Sequence, residues 1–262
     1  VDETKGQVLS YKGDIIETYY YSTSYGHTGD YEAWNLDKDA YGYLQGVWVR
    51  SEENPIDLSD EKSFLDYISN VDSACYESDL KYFRWNTVLD FQGKDETLLH
   101  TIADRKEHQP EAISYYKDAS KTEKTDSCSN FGSLQAIKVV KRNQSGVILE
   151  LELDFQNGAV SVQSEYNMRA ILGCGITNIS LLDGSSVEMS ILPSAYISIQ
   201  AKGDGTYAVG GYGHGIGMSQ NGAQKLCGQG FDYKRILNYF YQDTELTELY
   251  QPQNMTKEEG GA

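Results

Sequence analysis

An α+β fold is predicted by two features of the 262-residue sequence. Segments of alternating apolar and polar residues stand in pairs across short polar turns, the mark of antiparallel hairpins. Other stretches have helical spacing and begin with acidic or hydroxyl caps. The expected architecture is mainly antiparallel β-hairpins, open to a barrel-like closure. Helices should pack on one side, with a helical insert at an edge.

Residues 7–12 and 15–21 read as the first hairpin, with Lys12-Gly13-Asp14 as its turn. The second strand delivers Ser22-Thr23-Ser24 into a loop, where hydroxyls serve either a polar ligand or their own backbone. Residues 51–128 change character and read as a variable, mostly helical insert. In it, residues 59–68 have an acidic first turn and apolar spacing, residues 80–91 are aromatic, and residues 95–103 read as a second helix. His100 and His108 have the wrong spacing for a metal pair on one helix face. Residues 119–130 read as a polar loop.

A second hairpin pairs residues 136–142 with 147–153 across Asn143-Gln144-Ser145-Gly146. Residues 166–172 read as a helix. Residues 187–191 and 196–200 read as short strands around Leu192-Pro193-Ser194, and residues 206–210 as another strand. Residues 232–240 form a capped amphipathic helix pattern, and residues 252–262 read as a flexible tail.

The formal net charge of −17 argues against nucleic acid or an anionic membrane as partner. The 21 tyrosines suit both β-sheet packing and stacking on sugars. Cys75, Cys128, Cys174 and Cys227 show no C-x-x-C spacing, which argues against a zinc ribbon. Four cysteines allow three full pairings. The polar surroundings of Cys75 and Cys128, at the edges of the insert, favour a disulfide between them. Cys174 and Cys227 read as buried thiols beside the stretch that follows.

The sequence from Gly210 to Ala223 is glycine-rich around one histidine and leads into a small-residue helix. Ser219 suits its N-cap and Gly228 its stop. It lacks the Gly-Lys-Ser/Thr ending of a phosphate loop and the third glycine of a dinucleotide fingerprint. Ser194 lies in Leu-Pro-Ser-Ala, not in a nucleophile elbow, and neither Cys174 nor Cys227 has the surroundings of a nucleophile for His214.

Gly211-Tyr212-Gly213-His214-Gly215-Ile216-Gly217-Met218-Ser219-Gln220-Asn221-Gly222-Ala223 resembles the signature G-[WY]-G-H-G-[VI]-G-M-S-Q-x-G-A of the stage II sporulation protein D and amidase enhancer family (SpoIID/LytB). Tyr20-Tyr21-Ser22-Thr23-Ser24-Tyr25-Gly26-His27-Thr28 with Trp34 resembles a second block of that family. Arg169-Ala170-Ile171-Leu172-Gly173 with Leu192-Pro193-Ser194-Ala195 resembles a third. The three stand in the family's order, and the likeness covers roughly residues 1–50 and 130–250.

The resemblance implies an extracytoplasmic lytic transglycosylase that cleaves peptidoglycan glycan strands to 1,6-anhydro-muramoyl products, in sporulation or wall turnover. In such an enzyme one carboxylic acid protonates the glycosidic oxygen and then, as base, lets the sugar's 6-hydroxyl close on C1. The alternative is a noncatalytic, amidase-enhancer-like module that binds wall glycan or a wall amidase. The family's acid is a glutamate in a G-x-V-x-x-E-[ML]-P block, which this sequence lacks. It is therefore expected upstream of Val1, in a fragment whose missing N-terminal segment could persist as a separate chain. Asp30, Glu32 and Glu165 are the carboxylates that could stand in. Some family members bind zinc near the second block, but Ser24 stands where they have cysteine, so no metal or other cofactor is expected. The residues expected to hold sugar are Ser22, Thr23, Ser24, His27 and Thr28 from one loop and His214, Ser219 and Gln220 from the other. The two loops are expected to converge.

Overall fold

The computed structural model describes residues 4–52, 56–202 and 205–249, so the expected tail at 252–262 lies outside the described residues. The fold is α+β. Its described strands form four sheets, none of them a closed barrel. One five-stranded sheet has the order Ser186–Val187, Ile179–Leu181, Trp85–Leu89, Gly205–Gly210, Ile197–Lys202. The other runs Lys124–Thr125, Ile113–Tyr116, Gly158–Val162, Ile148–Phe155, Leu134–Arg142. A three-stranded sheet places Gln7–Tyr11 between Glu245–Glu248 and Asp14–Ile15, and a parallel pair joins Tyr20–Tyr21 to Met218–Ser219.

The first hairpin turns at Lys12 (φ 52°) and Gly13 (φ 92°), two left-handed residues in a row, which matches strand twist in a two-residue turn. The strand expected over 15–21 is broken. Asp14–Ile15 stays in the hairpin, whereas Tyr20–Tyr21 pairs with the segment after the glycines. The second hairpin forms as read and continues into Gly158–Val162, a strand buried at every position. Helices Glu61–Ile68 and Tyr233–Phe240 begin where Asp60 and Asp232 accept the Ser63 and Arg235 backbone N–H groups, each at 2.8 Å.

Residues 51–128 are woven into the fold. Besides helices Glu61–Ile68 and Asp95–His108 they supply Trp85–Leu89, the central strand of its sheet, and Ile113–Tyr116, which pairs with Gly158–Val162. Two apolar cores result. One gathers Trp85, Leu98, Ile113, Leu153 and Ile171. The other gathers Tyr25, Tyr43, Phe64, Tyr196 and Phe240, so much of the tyrosine content is core, with Tyr25 stacked on Tyr196 at 4.7 Å. All four cysteines are free. The expected Cys75–Cys128 disulfide does not form, because Cys75 packs in the second core and Cys128 in the first. Cys227 is exposed and Cys174 half-buried, so neither is the buried thiol expected.

Candidate functional site

The two signature loops converge. Met218 pairs with Tyr20 and Ser219 with Tyr21 in parallel register. The Met218 N–H donates to the Tyr19 carbonyl at 3.0 Å, Asn221 N–H to Ser22 at 3.1 Å, and Gly29 N–H to Gly215 at 2.6 Å. Glycine is required for this approach. Gly215 and Gly217 both sit at φ 76°. A Cβ at Gly217 would collide with the Tyr19 carbonyl, and one at Gly215 with the Tyr196 ring.

A buried carboxylate ties the loops together. Glu77, fully buried, accepts from the Ser24 N–H at 3.0 Å, the Ser24 hydroxyl, and the Ser219 hydroxyl at 2.7 Å. The Gly222 N–H also bears on it, and the Ser219 oxygen caps the helix Gln220–Gly228 by accepting from that N–H at 3.2 Å. Burial raises the Glu77 carboxyl and the hydroxyls pull it back. Sequence reasoning missed Glu77. It stands in an ordinary polar stretch, and its partners are 53 and 142 residues away.

Thr23, Ser24, Thr28, Ser219 and His27 are buried with their polar groups engaged inside the protein. Thr23 Oγ1 accepts from Asn221 Nδ2 at 2.9 Å, and Thr28 Oγ1 from the Val47 N–H at 2.9 Å. His27 Nδ1 donates to its neighbour Thr28's carbonyl at 2.6 Å and packs edge-on against Trp48. Burial lowers its pKa to about 4. Ser22 and Gln220 are exposed and His214 part-exposed, so of the eight candidates these three face outward.

His214 is held in one tautomer. Its Nε2 donates to the Tyr20 carbonyl at 3.0 Å, and its Nδ1 accepts from the Ile216 N–H at 3.2 Å. Protonation would destroy the second bond, and burial lowers the pKa further. With both nitrogens committed, the imidazole offers only its ring. That ring lies 5.0 Å from Trp34 and 5.4 Å from Tyr21.

Trp34 in turn lines a polar groove of about 760 Å³, with Tyr31, Glu32, Lys141, Gln163 and Ser164 among its walls. Ser164 takes φ 73°, rare for a residue other than glycine, and opens the helix Glu165–Gly173. Glu165, 2% exposed, is paired with Arg169 at 2.7 Å and lies against the Trp34 indole. Burial raises its carboxyl despite the guanidinium. The third candidate carboxylate, Asp30, accepts from Asn143 at 2.8 and 3.0 Å, from the Ser145 hydroxyl and from the Glu32 N–H, and so fixes the turn Tyr31–Trp34.

A groove with an aromatic wall, polar sides and a buried carboxyl beside it suits a polymer of hydroxyls and amides. The chain is similar to an amidase enhancer. That protein, from Bacillus subtilis (strain 168), is 25% identical over 263 residues. The alignment takes in 94% of this chain and 32% of the amidase enhancer, so the chain spans about a third of that relative's length. No family model matches the chain. Among the described residues, no three His, Cys, Asp or Glu side chains are grouped to hold a metal ion, and no helix is long and apolar enough to cross a membrane.

Proposed function

We propose that this chain is the glycan-engaging part of an extracytoplasmic protein that remodels peptidoglycan. The observation that carries the reading is the groove beside the meeting point of the two loops, where Trp34 presents an aromatic face backed by the His214 ring. Aromatic rings stack on the apolar faces of sugars, and Gln163, Glu32 and Lys141 offer donors and acceptors for hydroxyl and N-acetyl groups. The five buried loop residues act behind this surface by fixing its shape. The reaction of the whole protein is then cleavage of glycan strands to 1,6-anhydro-muramoyl products. The similarity to an amidase enhancer favours a second reading, a module that docks a wall amidase on its glycan.

Co-sedimentation with insoluble peptidoglycan, whole and stripped of stem peptides, tests the first reading. Retention on both is expected. Retention on neither overturns it. If a wall amidase is accelerated by the chain on intact wall, and the chain leaves glycan strands uncut, the second reading replaces the first.

A further inference from the structure

We propose that the hollow between the helix Asp95–His108 and residues 126–132 docks a basic amphipathic helix of a partner protein, beside the glycan groove. The proposal deepens the docking reading above and rests on it. The helix Asp95–His108 turns Leu98 and Ile102 into the first core, where both are fully buried. A second stripe on the same helix follows the spacing of three and four: Glu96, Leu99, His100, Ala103, Lys106 and Glu107. It lines a hollow of about 780 Å³.

The floor of the hollow is apolar. Leu99 is half-buried and Ala103 exposed, and the buried Tyr115 and Cys128 complete the floor. The rim is acidic. Glu96 and Glu107 stand at the two ends of the stripe and Asp126 on the facing loop, all three exposed. Among the described residues none of these carboxylates has an ion-pair partner. Lys106 is committed elsewhere, since its Nζ donates to the Pro110 carbonyl at 3.0 Å and the Ile113 carbonyl at 2.6 Å, over the Tyr115 ring. His100 is the other basic side chain at the rim.

Charge complementarity selects the occupant. An apolar floor between carboxylates suits Leu or Met side chains flanked by Lys or Arg. It repels a second copy of this chain, at formal net charge −17, and equally an anionic lipid surface. Glu96 and Glu107 are eleven positions apart, about 16 Å along the helix axis. That is about three turns of a partner helix lying alongside with its apolar face down. The position gives the docking a consequence. Pro110 lines the hollow, whereas its neighbours Glu111 and Ala112 line the glycan groove, so the two sites stand on either side of the turn Pro110–Ala112. A helix held in the hollow brings the rest of its protein next to glycan seated on Trp34.

The test is fluorescence anisotropy with a labelled two-heptad peptide of repeat Leu-Lys-Lys-Leu-Leu-Lys-Lys, compared with its Leu/Glu counterpart. The salt is about 0.15 M, where exposed charges beyond about 8 Å are screened. Wild type should bind the basic peptide and not the acidic one. Ala103→Gln places a polar side chain on the floor at unchanged charge, and should bind at least about tenfold more weakly. Glu96→Gln with Glu107→Gln and Asp126→Asn should weaken binding as much. Asp14→Asn with Glu245→Gln and Glu248→Gln, the same change of charge on the three-stranded sheet, should leave it unchanged. All seven substituted residues are exposed, and circular dichroism verifies each fold. Equal weakening by the two triple variants is diffuse attraction and overturns the proposal. So does wild-type affinity in Ala103→Gln, or no binding by wild type. A dimer in sedimentation that Ala103→Gln dissociates overturns it too, because the occupant is then a second copy. A purified wall amidase acting on intact wall separates the proposal from the reading beneath it. Acceleration by wild type that Ala103→Gln loses is expected. Equal acceleration by both overturns the hollow and leaves the docking reading standing, whereas none by wild type overturns the docking reading.

Discussion

At the scale of single residues, the signature loops are a problem in close approach and buried charge. Gly217→Ala must either leave φ 76° or push the Tyr19 carbonyl away. It should cost roughly 2–4 kcal/mol in chemical denaturation, from backbone strain and overpacking together. Glu77→Ala leaves the Ser24 N–H and the Ser219 hydroxyl without their acceptor. It should cost at least about 3 kcal/mol, and Glu77→Gln, which keeps an acceptor oxygen, distinctly less. The glycines and the histidine were legible because the motif needs them. Glu77 was not, because nothing local announces a carboxylate whose donors come from two distant loops. The hydroxyls of Thr23, Ser24 and Ser219 were legible as important, but sequence cannot tell an inward hydroxyl from an outward one.

His27 makes residue-level pH dependence measurable. With its folded pKa lowered from 6.5 to about 4, the unfolded chain binds a proton in that window and the native state does not. This contribution is therefore complete above the unfolded value and is lost as pH falls from 6.5 to about 4, by as much as roughly 3 kcal/mol. His214 acts in the same direction. Asp30, Glu77 and Glu165, all raised by burial, act in the opposite one, since the native state keeps protons that the unfolded chain has released. His27→Gln removes only the first contribution. Unfolding free energies at pH 7 and pH 4.5 should show a smaller loss on acidification in the variant than in wild type. Equal losses would place the acid sensitivity elsewhere.

At the scale of elements, caps and alternation carried most of the information. Asp60, Ser219 and Asp232 each cap the helix that the sequence starts there. Asp232→Ala should cost about 1 kcal/mol in thermal or chemical unfolding, without loss of the helix, because Ile236 and Phe240 still anchor it. The second hairpin was legible from its alternation. Gly158–Val162 was not, since a strand buried on both faces has none. Glu245–Glu248 was hidden too, an acidic edge strand recognisable only by its pairing with Gln7–Tyr11. The break after Ile15 follows from tertiary demand, because Tyr20–Tyr21 is needed beside Met218–Ser219.

At the scale of the whole molecule, segments far apart in sequence make one surface. Residues 20–34 supply Trp34, residues 210–223 supply the His214 ring that backs it, and residues 141–164 supply further lining. The hairpin Leu134–Arg142 and Ile148–Phe155 thus shapes the groove as well as its own core. The α+β class and the convergence of the loops were legible. The groove was not, because its walls come from hairpin, turn and helix start, which no sequence pattern links. The measurement that tests the account most directly is calorimetric titration of soluble, peptide-free glycan oligosaccharides into wild type and Trp34→Ala, with circular dichroism to verify the fold. The account predicts that wild type binds and that Trp34→Ala, still folded, binds about 5- to 30-fold more weakly, the equivalent of about 1–2 kcal/mol for a lost sugar-stacking ring. Equal affinity in the two proteins, or none in wild type, would contradict it.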